Sequence, residues 1–250
     1  MAGTTVQRRL TWTVAEVVEL VGETPEAASI ALSSPGWDGH LAGQHIDLRL
    51  TAEDGYQAQR SYSIATPADG DRVTITVERV DDGEVSSYLL EELRVGDRLE
   101  IRGPIGGYFV WEPTLGGPLQ LIGGGSGVVP LMAMLRARVL AESDIPISYL
   151  SSARTEEMIF YRSELDRLTA EADGIEVVHT LTRAVPESWD GPTGRLDESA
   201  LERHVWPVGE QPLCYVCGPT GFVETVASAL VALGHVPERI RTERFGPTRG

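Results

Sequence analysis

The sequence predicts a two-domain protein in which an antiparallel Greek-key β-barrel precedes an α/β domain built on a parallel sheet. The first observation is length, because 250 residues can form two compact domains, each with its own hydrophobic core. The second is that the N-terminal part alternates apolar and polar residues in short segments separated by turn formers. The third is a change of pattern after residues 112–118, where apolar segments begin to alternate with amphipathic ones.

In the N-terminal part, the alternating segments are typical of strands that bury one face. Turn-forming clusters, such as residues 35–39 and 68–71, separate them. One helix, Ser86–Leu93, interrupts the strands, and Ser86 is its predicted N-cap. The predicted strands are Thr11–Leu20, Ala28–Leu32, His45–Leu50, Arg60–Ile64, Arg72–Val77 and Arg98–Ile101.

In the C-terminal part, strands and helices alternate, which is the pattern of a parallel sheet covered by helices. Residues 112–118 are rich in glycine and proline, and they predict a linker between two domains, 1–113 and 118–250. The predicted strands and helices of the second domain are, in chain order, Leu119–Ile122, Val129–Ala141, Ile147–Leu150, Ile159–Ala170, Glu176–Thr180, Leu213–Val216 and Gly221–Leu233.

Composition and charge disfavour several functional classes. The net charge of −16 argues against nucleic-acid binding, because contacts with phosphate dominate that affinity. No apolar segment approaches the roughly 20 residues that span a bilayer, so no membrane insertion is expected. The N-terminus lacks the apolar core of a signal peptide, and the expected location is the cytoplasm. All 21 basic residues are arginine, so an arginine indicates a function only where its position is special.

The two cysteines, Cys214 and Cys217, lie three residues apart in a segment with the pattern of a strand. An odd offset on a strand directs the two side chains to opposite faces, so neither a redox disulfide nor a shared metal ion is expected. Two cysteines also cannot supply the four ligands of an ordinary iron–sulfur cluster. The sequence therefore predicts no metal centre.

The strongest local signal is residues 121–130, in which a strand runs through glycines into a helix. Glycines allow backbone amides to approach a pyrophosphate, and the helix N-terminus favours its negative charge. The segment departs from related motifs: Pro130 stands where a dinucleotide fingerprint has glycine, no lysine follows as in a P-loop, and Val128 breaks the G-x-S-x-G elbow around Ser126. Dinucleotide binding is favoured, with a purely structural glycine turn as the alternative.

Three further segments have ordinary structural interpretations when each is taken alone. Residues 60–63 offer an arginine, an aromatic ring and a hydroxyl on a strand, and residues 83–89 form a glycine turn that leads into a helix. Residues 217–219 end an α/β strand, predicted to be the fifth, where ligands of open parallel sheets bind. The alternatives are an ordinary strand, simple helix capping and a core cysteine before a turn.

The order of these four segments resembles that of the ferredoxin–NADP⁺ reductase family, in which an antiparallel flavin barrel precedes a nucleotide-binding domain. The shared set is R-x-Y-S, G-x-V-S-x-x-L, G-G-x-S/T-G-x-x-P and C-G-P, and the resemblance extends from about Thr11 to Phe245. Residues 103–109 also look like the family's glycine-proline exit from the barrel. The resemblance implies a bound FAD, with FMN the less expected flavin, and NADPH or NADH as the second cofactor.

For the flavin, the resemblance implies roles in the first domain and at the C-terminus. Arg60 would bind the pyrophosphate, Tyr62 would stack on the isoalloxazine ring, and Ser63 would hydrogen-bond near flavin N5. The phosphates would be cradled by the amides of Val85, Ser86 and Ser87. Phe245 would cover the flavin until nicotinamide displaces it, although five residues follow it here, which departs from the family's terminal aromatic.

For the nicotinamide dinucleotide, the resemblance implies binding by two segments of the second domain. Their residues are Gly125, Ser126 and Gly127 together with Cys217, Gly218 and Pro219. Cys217 would lie close to the nicotinamide, and Ser63 and Glu243 would relay the accompanying proton. The implied catalytic residues are therefore Ser63, Cys217 and Glu243.

The choice of nucleotide depends on the residues after the second and third strands of the α/β domain. NAD-preferring folds usually place an acidic residue after the second strand, but Ser152 and Arg154 stand there instead. A hydroxyl and a guanidinium suit a 2′-phosphate, and Arg183 and Tyr161 would join them, as in bacterial members of the family. NADPH is therefore favoured over NADH, with ordinary surface arginines as the alternative.

The activity implied by the resemblance is transfer of a hydride from NADPH or NADH to FAD, followed by electron transfer to a separate acceptor. Ferredoxin is the first expectation for that acceptor, because the chain has too few cysteines for an iron–sulfur cluster of its own. Two alternatives stay open: reduction of free flavin or another small molecule, and a non-catalytic electron-transfer or nucleotide-binding subunit of a larger complex. A hydrolase that uses Ser126 is disfavoured by the broken elbow.

Overall fold

The computed structural model describes residues 10–245 and contains two sheets, one antiparallel and one parallel. The antiparallel sheet forms the N-terminal domain, with six strands and one helix. These elements are β1 (Thr13–Thr24), β2 (Ala27–Ser33), β3 (His45–Thr51), β4 (Gln57–Ser63), β5 (Arg72–Glu78), α1 (Glu84–Glu91) and β6 (Arg98–Ile105).

The six strands close into a barrel. Their order is β4-β3-β6-β1-β2-β5, and paired neighbours are antiparallel. An antiparallel bridge between Ile64 and Ile75 joins the chain beyond β4 to β5, so the two outer strands meet. Alternate side chains point inward and form one core, in which Val17, Leu32 and Ile101 are completely buried. The predicted barrel is confirmed.

The C-terminal domain is a parallel five-stranded sheet with helices on both faces, which confirms the predicted fold class. Among residues 10–245, no helix is both long and apolar enough to cross a membrane. The elements are β7 (Leu119–Gly124), α2 (Val128–Leu140), β8 (Ile147–Ala153), α3 (Arg162–Glu171), β9 (Ile175–Leu181), α4 (Glu198–His204), β10 (Leu213–Pro219), α5 (Thr220–Ala232) and β11 (Ile240–Phe245).

The strand order β11-β10-β7-β8-β9 reverses between β7 and β10. At such a switch point the connections leave toward opposite faces of the sheet, which opens a crevice at the carboxyl ends of the two strands. Here β7 ends in the glycine loop, residues 123–127, and β10 ends in residues 217–219. The topology therefore brings two of the sequence signals to one crevice.

The two faces of the parallel sheet carry separate cores. One core includes α2 and α3, and the other includes α4 and α5. Cys217 belongs to the first core and Cys214 to the second, and both thiols are free. The two cysteines therefore point to opposite faces, as their spacing predicts.

Two helices, α1 and α3, begin two or more residues away from their predicted starts, whereas α2 and α5 begin within one residue of theirs. α1 begins at Glu84, and its N-cap is Gly83 rather than Ser86. The Ser86 hydroxyl lies inside the first turn and donates to the Gly83 carbonyl at 3.1 Å, so the prediction that Ser86 caps the helix is wrong. α3 begins at Arg162 rather than Ile159, because Tyr161 before it adopts a left-handed backbone conformation with φ of 56°.

Two elements are missing from the sequence prediction. α4 is a short helix whose signal is its N-cap, Asp197, which accepts a hydrogen bond from the Ala200 amide at 2.8 Å. β11 contains consecutive polar residues and lacks apolar alternation, yet it pairs with β10 at the edge of the sheet. In chain order, β10 is the fourth strand of this sheet, after β7, β8 and β9. Residues 217–219 therefore end the fourth strand and not the fifth, which corrects the prediction.

Hydrogen bonds join the two domains. The Tyr161 hydroxyl lies 2.5 Å from Thr76 Oγ1 of β5. Arg136 of α2 donates to the Ala65 carbonyl at 2.8 Å. The exact division at residues 1–113 and 118–250 stays a prediction.

Candidate active site

A cleft of about 430 Å³, called the β4 cleft below, runs along β4 and reaches α1. Arg60 and Tyr62 lie two residues apart on β4, so both side chains emerge on one face of the strand and line this cleft. Tyr62 is half-buried against the barrel core. The Arg60 guanidinium donates to the Gln59 carbonyl at 2.7 Å and has no carboxylate partner within residues 10–245. Its charge is therefore available to an anion.

The N-terminus of α1 forms one end of the β4 cleft through Val85 and Ser86. The first amides of a helix have no partner within the helix, and these two residues occupy such positions. Ser87 does not, because its amide donates to the Gly83 carbonyl at 2.9 Å and closes the first turn. The expectation that the Ser87 amide also binds phosphate is wrong, whereas the amides of Val85 and Ser86 suit an anion.

Phe245 and Arg244 of β11 bring the C-terminal domain to the wall of the β4 cleft. Phe245 is paired with Pro219 of β10 and is half-buried against a core of that domain. Both domains therefore bound the cleft, and the expected aromatic residue lies in its wall. The five residues that follow Phe245 lie outside the described part of the chain.

The switch-point crevice is formed by the glycine loop and residues 217–219. A Cβ atom at position 127 would lie 2.2 Å from the Cys217 carbonyl oxygen, so glycine there allows the two segments to pack closely. Gly125 has φ of 55°, a conformation that glycine adopts without strain. The Ser126 amide donates to the carboxylate of Glu78, which lines the β4 cleft. The crevice and the cleft are therefore adjacent.

The three expected catalytic residues gather where the crevice meets the barrel. Cys217 and Glu243 are paired neighbours on β10 and β11. Across the domain boundary, Nδ1 of His45 lies 4.0 Å from Oε1 of Glu243. Ser63 is the cross-strand partner of His45, and directly opposite residues of antiparallel strands share one face of the sheet. Strand pairing and the contact between His45 and Glu243 thus link Ser63 of the barrel to Cys217 of the second domain.

Burial determines the protonation of this group. It raises the pKa of Glu243 to about 7, and the Oε2 atom has no hydrogen-bond partner in the described structure. Burial and the neighbouring Glu243 raise the pKa of Cys217 well above its usual value, so the thiol stays neutral. Burial also lowers the pKa of His45, opposed by Asp47. Near neutral pH, a carboxyl group that can gain or lose a proton therefore lies beside a neutral imidazole.

Ser152, Arg154 and Arg183 lie at the carboxyl ends of β8 and β9, as expected. The Arg183 amide donates to the Arg154 carbonyl at 3.0 Å, so the two exposed side chains extend from neighbouring strand ends. Within the described residues, neither guanidinium has a carboxylate partner. A second cavity, of about 560 Å³, is lined by residues that follow them, including Thr155 and Ala184. Glu23, Glu156 and Glu157 also line that cavity, so only the two arginines outside it suit an anionic group at this edge of the sheet.

Tyr161 does not join the two arginines. Its side chain is buried between the domains, with 3% of the residue exposed, and its hydroxyl lies 2.5 Å from Thr76 Oγ1. The Arg136 guanidinium stacks on its ring, 4.8 Å from the ring centre. A nucleotide phosphate cannot reach a hydroxyl enclosed in this way. The expectation that Tyr161 binds the nucleotide is therefore wrong, and the residue joins the domains instead.

Sequence reasoning missed two residues of this site, His45 and Glu78. Both lie in or at the end of ordinary barrel strands, and no spacing distinguishes them from other polar strand residues. The pairing of β3 with β4 places His45 beside Ser63, and the packing of β5 on the second domain places Glu78 at the glycine loop. A correct prediction of the register between β3 and β4 would have placed His45 opposite Ser63, but no local signal indicates Glu78.

Comparisons with known proteins match both domains. Residues 19–110 match the model of an oxidoreductase FAD-binding domain, and residues 121–228 match that of an oxidoreductase NAD-binding domain. The chain belongs to the ferredoxin–NADP⁺ reductase-like family. The chain therefore carries an FAD-binding and an NAD-binding domain in the order that its sequence motifs predict.

Reductase components of monooxygenases are among the relatives of this chain. A glycine betaine monooxygenase reductase subunit from Chromohalobacter salexigens is 33% identical over 210 residues, which are 82% of this chain and 56% of that protein. The ferredoxin reductase component of a 3-ketosteroid-9-alpha-monooxygenase from Mycobacterium tuberculosis is 28% identical over 242 residues, which are 92% of this chain and 64% of that protein. The chain thus spans between 56% and 64% of the length of these two curated relatives.

A solved structure shows the same two-domain arrangement. It is the flavohem-like FAD/NAD-binding domain of nitric oxide dioxygenase from Vibrio cholerae, at 27% identity and a TM-score of 0.83. The alignment covers 94% of this chain and 99% of that one. The barrel and the parallel-sheet domain of this chain are therefore arranged as in that structure.

Proposed function

We propose that this reductase transfers a hydride from NADPH to bound FAD and then passes electrons to a separate redox protein, with ferredoxin as the first candidate. One observation carries the proposal, namely that Glu243, the neighbour of Cys217, approaches His45, the cross-strand partner of Ser63, where the two domains meet. Hydride transfer between two cofactors needs both rings held in one place by groups from both domains. The oxygenase reductase components among the relatives support a separate acceptor.

The β4 cleft has the features that FAD requires. Arg60 and the amides of Val85 and Ser86 would hold the pyrophosphate, and Tyr62 and Phe245 offer aromatic faces for a flat ring. FAD would supply hydride acceptance and single-electron release, which amino-acid side chains do not. The glycine loop and residues 217–219 would hold the dinucleotide at the switch point, where open parallel sheets bind their ligands.

The residues at the junction would position the nicotinamide and manage the proton. Glu243 can gain or lose a proton near neutral pH, because burial raises its pKa to about 7. The Ser63 hydroxyl makes no side-chain hydrogen bond in the described structure and is free to donate one. Cys217 would contribute a neutral, buried thiol that shapes the nicotinamide site rather than a nucleophile.

Spectroscopy and reduction assays on the purified protein test the proposal. An absorbance spectrum, followed by release and chromatography of the cofactor, should identify FAD rather than FMN. Anaerobic NADPH should bleach the flavin absorbance, and the reduced protein should then reduce an added ferredoxin. A colourless protein that remains inactive after FAD is supplied would favour a non-catalytic subunit. Faster reduction of free flavin than of ferredoxin would favour a small-molecule reductase.

We propose NADPH rather than NADH as the donor, because Arg154 and Arg183 extend from neighbouring strand ends without carboxylate partners in the described chain. Replacing Arg154 by Ala should lower kcat/KM for NADPH about tenfold or more, the effect of removing a charged hydrogen bond to a phosphate, and should change NADH little. Steady-state kinetics with both nucleotides measures this. Arg203→Ala, at an exposed arginine of the same domain, is the control. An unchanged NADPH/NADH ratio in the Arg154 variant would contradict the assignment.

A further inference from the structure

The carboxylate of Glu78 lies where the two cofactor regions meet. Glu78 is the last residue of β5 in the barrel, and it lines the β4 cleft. Its Oε2 atom accepts a hydrogen bond from the Ser126 amide of the glycine loop at 3.3 Å. A Cβ atom at position 125 would lie 3.7 Å from the same oxygen, so the carboxylate lies directly against the loop.

This contact occupies a group that an anionic ligand would use. The amides of a glycine loop and the N-terminus of the following helix, here α2, favour negative charge. In this structure the Ser126 amide is already bonded to a carboxylate from the other domain. A carboxylate oxygen and a phosphate oxygen are both negatively charged acceptors, and they repel each other at one donor.

Glu78 also lacks a neutralising partner. No arginine pairs with its carboxylate within residues 10–245, and the chain contains no lysine. Glu78 is half-buried, so its charge is only partly screened by water. The Ser126 amide is therefore the hydrogen-bond donor that stabilises the ionised carboxylate, and that stabilisation is lost whenever a ligand takes the amide.

We propose that Glu78 competes with the pyrophosphate of the dinucleotide for the Ser126 amide and thereby limits how tightly the nucleotide binds. The inference rests on the proposed function, because it assigns the glycine loop to the dinucleotide. Binding then requires the carboxylate to leave the loop, and its return assists departure of the oxidised nucleotide. Glu78 is thus a determinant of nucleotide affinity that the barrel contributes across the domain boundary.

The test measures binding of NADP⁺ to the FAD-loaded protein by isothermal titration calorimetry. Glu78→Gln keeps the size of the side chain and removes its charge, so NADP⁺ affinity should rise about tenfold, the size expected for one charged competitor at a hydrogen bond. Binding of 2′-AMP, which lacks a pyrophosphate, should be equal in both proteins. Asp81→Asn removes a charge from an exposed residue that precedes α1, does not line the β4 cleft and makes no hydrogen bond to the loop, and it should leave NADP⁺ affinity unchanged.

Unchanged or weaker NADP⁺ binding by the Glu78 variant would overturn the inference. Equal tightening by Asp81→Asn would also overturn it, because the effect would then come from the general negative charge of this region. A third variant, Ser126→Glu, places a permanent carboxylate on the loop. If it abolishes NADP⁺ binding while Glu78→Gln does not tighten it, the inference fails and the loop assignment stands. If Ser126→Glu binds NADP⁺ as the wild type does, the loop assignment fails, and the inference fails with it.

Discussion

At the scale of single residues, the candidate site contains a carboxyl group held in an unusual environment. Glu243 lies on the edge strand β11, but the barrel covers it, and its Oε2 atom has no hydrogen-bond partner in the described structure. The nearest basic group is the neutral imidazole of His45, 4.0 Å away. Burial without a compensating charge favours the protonated carboxyl, which explains why its pKa rises to about 7.

Replacing Glu243 by Gln should remove a pH-dependent loss of stability. The raised pKa means that the folded state binds more protons than the unfolded state between the ordinary value of 4.5 and about 7, so stability falls as the pH rises through this window. The melting temperature of the variant should therefore exceed that of the wild type by more at pH 8 than at pH 5. Thermal unfolding at both pH values measures this difference.

The control for this experiment is Glu100→Gln. The hydrogen bond from Arg49 holds the pKa of Glu100 below its usual range. The difference in melting temperature between this variant and the wild type should therefore not shift in favour of the variant between pH 5 and pH 8. A Glu243 variant whose advantage stays constant or shrinks with rising pH would show that the carboxyl group is not buried as described.

At the scale of elements, the turn into α1 determines where the helix amides point. The Gly83 amide donates to the Val80 carbonyl at 2.8 Å, and Ser86 Oγ accepts from the Val80 amide at 3.2 Å, so turn and helix fold onto each other. A Cβ atom on Gly83 would lie 2.6 Å from Ser86 Oγ and 2.8 Å from the Val80 carbonyl oxygen. Glycine at this position therefore lets the helix begin close enough to β4 to close the cleft.

Replacing Gly83 by Ala should weaken FAD binding about tenfold, because overpacking of about 1–3 kcal/mol would displace the start of α1. Titration of the apo-protein with FAD, followed by fluorescence, measures the dissociation constant. Gly107→Ala is the matched control, since a Cβ atom at that exposed glycine would have no neighbour within 4 Å. Equal FAD affinities for the two variants would show that the turn does not position the helix.

At the scale of the whole molecule, hydrogen bonds connect the barrel to the nucleotide domain away from the active site. Ser29 Oγ lies 2.8 Å from Thr76 Oγ1, which in turn lies 2.5 Å from the Tyr161 hydroxyl. Arg136 pairs with Glu164 and donates to a barrel carbonyl. Because the two cofactor regions lie in different domains, such contacts hold the β4 cleft and the switch-point crevice in register.

Replacing Tyr161 by Phe should lower the free energy of unfolding by about 0.5–1.5 kcal/mol, the usual contribution of one hydrogen bond, without changing the NADPH/NADH preference. Urea denaturation and steady-state kinetics measure the two quantities. Tyr56→Phe removes only an exposed hydrogen bond of 3.3 Å from Tyr56 to Glu84, which competes with water, and it should change neither quantity measurably. A tenfold change of nucleotide preference in the Tyr161 variant would show that this hydroxyl reaches the nucleotide.

The order of the two domains, the class of each fold and the core of the candidate site were determined by the sequence alone. Alternation, glycine turns and strand–helix periodicity are local properties, so they indicated the two folds. The resemblance of the ordered motifs then predicted Arg60, Tyr62 and Phe245 for the flavin and residues 125–127 and 217–219 for the dinucleotide. The sequence did not predict β11, because its residues are mostly polar and its strand conformation depends on pairing with β10.

Only the tertiary structure decided the remaining assignments. It placed the Tyr161 hydroxyl in a hydrogen bond between the domains, and it engaged the Ser87 amide in the first turn of α1. It also brought His45 to Glu243 and Glu78 to the glycine loop. These outcomes depend on strand register and on packing between segments distant in the chain, and a local pattern carries no information about which distant partner a side chain will meet.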